Sequence, residues 1–148
     1  MKIFKYSFMA LGVAFIANVA LVKALTYPNA NGYIYGTATM AAGKTVRLNG
    51  EVQKSDISGQ SITNTRTFTT ITDPCTDCKI DVKLLRKLSS GNFDTVGSIT
   101  FKQGETKAFT SQNVSYTEGV YNLSFKRNGI TAVTTYVGFD WRVQNSKM

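Results

Sequence analysis

Cys75-Thr76-Asp77-Cys78 is the one place in this chain where two reactive side chains sit at a spacing that chemistry uses. A C-x-x-C run can be a redox pair, half of a zinc site or a short disulfide. A redox pair needs a helix opening at the motif, because the helix N-terminus lowers the pKa of the first thiol. Pro74 precedes the motif and strand-like alternation follows it, so no such helix is expected. Zinc needs more ligands of the same kind, and the chain has two Cys and no His. A small structural disulfide between Cys75 and Cys78, clamping the start of the strand at Lys79, is preferred over a redox or intermolecular use.

The absence of His removes further chemistry. No Ser-His-Asp or Cys-His set can form, and no His proton shuttle. Asp73, Asp77 and Asp81 are four residues apart around the cysteine loop. Calcium wants six or more oxygens and the EF-hand spacing is missing, so solvated surface carboxylates are expected and no metal or other cofactor is. Thr63, Thr65, Thr67 and Thr69 form a row on one face of a strand, with Asn64, Arg66 and Phe68 on the other. One such row is too little for an ice-binding surface, and Phe68 and Ile71 are too little to face lipid. A surface strand of good β formers explains the row.

Two groups of side chains remain as binding candidates. Lys79, Lys83, Arg86 and Lys87, with Lys126 and Arg127, form a basic cluster that suits an anionic surface. Its plainer reading is a soluble polar face. On a strand Lys83 and Lys87 point away from the core, while the Leu84-Leu85 pair leaves the side of Arg86 open. Tyr33, Tyr35 and Tyr116 flank turns and offer rings for stacking; Tyr121 and Trp141 are in phase with apolar faces and belong to the core.

The elements that must hold these residues follow from composition and period. The chain has 148 residues, 17 Lys plus Arg and 9 Asp plus Glu, a length for one domain. Lys2 and Lys5 precede an apolar run from Phe8 to Val22, which ends at Val22-Lys23-Ala24. A positive start, a run too short for a membrane span of about 20 residues and a small-residue exit make residues 1–24 a secretory signal peptide. An uncleaved anchor is the alternative. The 124 residues that follow carry 14 basic and 9 acidic side chains, and 29 of them are Ser or Thr. That usage leans towards strands and turns.

Residues 25–32 read as a flexible lead-in and 33–148 as one domain. Period 2 recurs over Tyr33–Met40, Thr45–Val52, Thr63–Thr72, Lys79–Lys87, Val96–Lys102, Thr106–Val114, Gly119–Lys126 and Ile130–Val143, and no helical period appears. Asn128-Gly129 predicts a type I′ hairpin between the last two strands. Gly138 predicts a bulge midway along the final strand. About eight strands at this spacing predict an all-β antiparallel sandwich, jelly-roll or immunoglobulin-like, ahead of a small barrel.

The resulting expectation is a secreted or cell-surface-associated, non-catalytic binding module. Its partner would be an anionic cell-wall polymer, a glycan, a membrane surface or a protein; nucleic acid is not expected. A small secreted antimicrobial toxin or inhibitor is the alternative. An enzyme is not expected, given no His and no convincing carboxylate pair.

Overall fold

A computed structural model describes residues 25–69, 73–109, 117–129 and 131–145 of the chain. Among them are ten strands and no helix: β1 (Leu25–Thr26), β2 (Tyr33–Met40), β3 (Thr45–Arg47), β4 (Glu51–Lys54), β5 (Ser61–Phe68), β6 (Ile80–Lys87), β7 (Phe93–Phe101), β8 (Thr106–Ala108), β9 (Gly119–Arg127) and β10 (Thr135–Arg142). The cause is visible in β6 and β10. Ile80, Val82 and Leu84 are buried while Asp81 and Lys83 between them are not, and Thr135, Val137, Phe139 and Trp141 are buried in the same alternation. A strand turns every second side chain to one face, so such segments must pair and then cover one face.

They do so as two packed sheets. One has the order β1-β4-β9-β6-β7, with β3 also pairing β9 beside β4; the other is β2-β10-β5-β8. Of strands consecutive in sequence, only β6 and β7 pair among the described residues. The chain otherwise crosses between sheets or skips a neighbour. With β3 and β4 sharing one place beside β9, four places in one sheet face four strands in the other; interleaved in this way they make the sandwich a jelly roll, with β1 added in parallel to β4.

Between the sheets Ile80, Val82, Leu84, Tyr121, Leu123 and Phe125 meet Met40, Ile62, Val137, Phe139 and Trp141. Phe125 and Phe139 stack across the gap at 5.0 Å. Each such side chain contributes about 1.5–3 kcal/mol on burial. The indole Nε1 of Trp141 donates to Gln60 Oε1 at 3.1 Å, so the largest core side chain leaves no polar atom unpaired.

Several expectations meet the structure differently. The single strand over Thr45–Val52 is two, β3 and β4, because Gly50 takes a positive φ of 106° and re-aims the chain. Asn128-Gly129 closes no hairpin: β9 belongs to one sheet and β10 to the other. The pair supplies a turn, with Gly129 at φ 83°, but partner choice is decided by which apolar face must be covered. The threonine row is broken. Thr67 is buried and bonds Asn64, because a bulge inserts Thr65 opposite the Gly138–Phe139 step of β10. The irregularity expected at Gly138 is therefore present, with the extra residue on the partner strand. Residues 25–32 carry β1 and a turn in which Asn29 Oδ1 accepts from the Asn31 and Tyr33 amides. Cys75 and Cys78 are disulfide-bonded just ahead of β6. The leader, residues 1–24, lies outside the described residues.

Candidate functional site

Ser124 is the geometric centre of the site. It stands on β9 directly across from Arg47 of β3 on one side and Lys83 of β6 on the other. Lys126, two residues along β9, has Thr45 and Asp81 as its own cross-strand partners. Directly opposed residues have Cβ atoms about 4.5–5.5 Å apart, and two steps along a strand cover about 7 Å. Three cations therefore surround one hydroxyl. All of them project from the outer face, because their neighbours Val82, Leu84, Leu123 and Phe125 fill the inner one.

This outer face is concave. Leu84 pairs with Gly97 but Leu85 with Thr95, so Val96 is an extra residue on β7. A bulge of this kind bends its strand and raises the local twist. Across this face the long side chains of Arg47, on β3, and Phe93, on β7, meet over β9 and β6, with the guanidinium carbon 4.9 Å from the centre of the ring. Beside them lies a trough of about 560 Å³, lined by Thr45, Arg47, Asp81, Lys83, Leu85, Thr95, Ser124 and Lys126. Its size falls in the usual range for small-molecule sites.

The charges of the trough are unequal in their commitments. Asp81 is engaged: Thr100 donates to it at 2.5 Å, and the Asn128 side-chain amide donates to both of its oxygens at 3.1 and 3.2 Å. Among the described residues Lys83 and Lys126 make no ion pair, and Arg47 meets only the Phe93 ring. Three cations face one carboxylate already held by neutral donors.

No family model matches the sequence, and no curated protein matches it. Solved structures similar to the chain include the mitogen of Yersinia pseudotuberculosis, at 14% identity over 82% of this chain and 91% of that one, with a TM-score of 0.48. A carbohydrate-binding module, CBM4, is 13% identical over 73% of this chain and 89% of its own, with a TM-score of 0.40. Another, CBM36 in complex with calcium and xylotriose, is 15% identical over 75% and 93%, with a TM-score of 0.32. At these values none of them assigns a ligand to this chain.

The basic cluster read from the sequence divides. Lys83 and Lys126 enter the trough. Lys87 points outward but is spent on Glu51, at 2.9 Å. Arg86 turns inward beside Tyr121 and Gly119, and its Nη2 donates to the Glu118 carbonyl at 3.3 Å. Arg127 donates to Thr135 Oγ1 at 3.1 Å. Lys79 lines a separate hollow of about 260 Å³ with Lys102, Glu105 and Lys107. Tyr33 and Tyr35 are on the other sheet altogether, their rings parallel at 5.9 Å, with Tyr35 60% exposed. They cannot share a ligand subsite with Lys83. Tyr116 lies outside the described residues. No group of three or more Cys, Asp or Glu side chains among the described residues is placed to hold a metal.

Arg47 is the site residue that sequence reading missed. It carries no motif; its one local signal is an outward position between Val46 and Leu48, both of which pack against the core. What brings it to Ser124 is the pairing of β3 with β9, far away in sequence. Chemically the trough can hold negative charge, offer hydroxyls from Thr45, Thr95 and Ser124, and cover apolar surface with Leu85.

Proposed function

We propose that the protein is a secreted or cell-surface, non-catalytic binding module that holds an anionic polymer of the cell envelope in the trough between β3 and β7. The observation carrying this reading is the set of Arg47, Lys83 and Lys126 around Ser124, three cations that have no ionic partner among the described residues and line one trough. Such a site draws anions from solution and weakens as salt rises, because exposed charges are screened beyond about 8–10 Å. A concave site fits a chain better than a flat bilayer, whose headgroups cannot enter it together. Non-catalytic action is supported by composition: the chain has no His, and the one trough carboxylate is engaged by Thr100 and Asn128.

Electrophoresis in gels containing dextran sulfate or polygalacturonate tests the reading. Retardation is expected at low salt and should fade by about 0.3 M, where the screening length is well below 8 Å. The triple substitution R47Q/K83Q/K126Q should abolish it. A control triple of equal charge change on exposed lysines elsewhere, K44Q/K79Q/K107Q, should retain most of it. Equal loss in the two triples would replace the trough by diffuse basic charge. Export is tested separately: protein recovered from the medium should begin at Leu25, and recovery only in membranes with Met1 intact would refute it.

A further inference from the structure

We infer that the polymer is a carboxylated polysaccharide and that Arg47, held by Phe93, is the residue that reads its carboxylate. This inference rests on the trough being the binding site and goes on to name the ligand class and its determinant.

The three cations of the trough are not equivalent. Lys83 and Lys126 are flexible point charges with rotatable donors, whereas a guanidinium is a flat fork. The Arg47 guanidinium carbon lies over the Phe93 ring, 4.9 Å from its centre, and no described side chain or carbonyl accepts from its N–H groups. A cation–π contact of this kind is worth about 0.5–1 kcal/mol at exposed sites, and it biases where the fork sits while leaving its donors free. A fork held in this way matches a planar carboxylate through two parallel hydrogen bonds. Part of its conformational entropy is lost before the ligand arrives.

The rest of the lining describes what carries the carboxylate. Leu85 is 7% exposed and offers methyl groups, while Thr45, Thr95 and Ser124 offer hydroxyls. A sugar ring has the same mixture: C–H groups on its faces and hydroxyls on its rim. A nucleic acid fits less well, because bases need a free aromatic face. Among the described residues no aromatic side chain lines the trough, and Phe93 beside it is in contact with Arg47. Asp81 also stands across from Lys126, which disfavours the densest polyanions.

The test uses the full mature domain and three polymers: polygalacturonate, its fully methyl-esterified form and dextran sulfate. Polygalacturonate should bind and the ester should not, although the backbone is the same. Arg47→Lys keeps the charge and loses the fork; it should weaken binding to polygalacturonate about tenfold while changing binding to dextran sulfate by less than about twofold. Phe93→Leu, which frees the guanidinium, should act in the same direction and more weakly. Lys83→Gln should weaken both polymers alike, and circular dichroism checks that each variant is folded. Wild-type affinity in R47K, or equal binding of acid and ester, would overturn the inference while leaving an anion-binding trough. Binding that ranks polymers by charge density alone, with dextran sulfate tightest in every variant, would overturn it too. Failure of both anionic polymers to bind would instead remove the trough reading itself.

Discussion

Lys54 and Lys83 belong to the same sheet, carry the same charge and have opposite fates. Lys54, at the end of β4, points inward and is 0% exposed. Its ammonium donates to the Asp56 carbonyl and, at 2.6 Å, to the Asp56 carboxylate. That carboxylate also accepts from the Ser58 hydroxyl and amide and from the Asn145 amide, while Gln144 Oε1 accepts from the Ser55 amide. The whole set fastens the β4–β5 turn to the chain beyond β10. Lys83 lies on the outer face and, among the described residues, has no ion-pair partner. One cation is committed to the fold and, among the described residues, the other is not. Sheet geometry makes the difference: an inward lysine must bring its own counter-charge, because an uncompensated buried charge is very costly, whereas an outward lysine can wait in water.

The largest effect should come from breaking the inward set. Lys54→Ala leaves Asp56 without its cation in a half-buried turn and should cost about 3 kcal/mol, the low end for a broken buried pair because Asp56 keeps some contact with water. Urea unfolding measures this, and polymer binding by the protein that remains folded should be unchanged. A cost under about 1 kcal/mol would place Lys54 with the surface cations and erase the contrast.

Acid should weaken the same set. Burial alone would raise the Asp56 carboxyl, but hydrogen bonds from Lys54, Ser58 and the Asn145 amide outweigh it and hold the group well below the usual carboxylate range. With its folded value below the unfolded one of about 3.9, this carboxylate contributes stability that is fully present above roughly pH 5 and drains away as pH falls further. Melting temperatures between pH 6 and 2 should therefore converge for wild type and Asp56→Asn, with the variant lower at pH 6. A constant gap would show that Asp56 acts through shape alone.

An intermediate case sharpens the comparison. Lys87 is outward like Lys83 but paired with Glu51 at 2.9 Å. Lys87→Gln should cost about 0.5 kcal/mol, the value of an ordinary surface pair, and leave polymer binding alone. The smallest effect on stability belongs to the trough. R47Q/K83Q/K126Q should stay within about 0.5 kcal/mol of wild type, or gain slightly as like charges are removed, while losing binding. A trough triple that melts early would mean that these cations, too, hold the fold together.

Much of the architecture was legible from local pattern. β2 and β6 have nearly the predicted bounds, since Tyr33–Met40 alternates throughout and Ile80–Lys87 as far as Leu84, and a period of 2 is a property of the strand itself. The break at Asn49-Gly50 and the short course of β5 were less legible, because they depend on what each strand pairs with. Half of the trough was legible too: Lys83 is outward by alternation on β6, and Lys126 by alternation on β9. The same reasoning grouped Lys79, Arg86, Lys87 and Arg127 with them, since nearness along the chain is all that a sequence displays.

By itself, then, the amino-acid order determined most of the strands, the buried faces of β9, β10 and β6 as far as Leu84, the Cys75–Cys78 link and the lack of His-based chemistry. These are consequences of residue type and of spacings of a few residues. Tertiary structure alone decided that β3 lies beside β9, that Val96 forms a bulge, and that Arg47 meets Phe93 across β9 and β6. It also separated Tyr33 and Tyr35 from the basic face and tied the Lys54–Asp56 pair to Asn145 beyond β10. The physical reason is that sheet pairing and sheet packing are settled by burying apolar faces from distant segments together. A polar side chain on the outside of a strand is carried to its neighbours by that choice, and leaves no trace of it in the residues on either side.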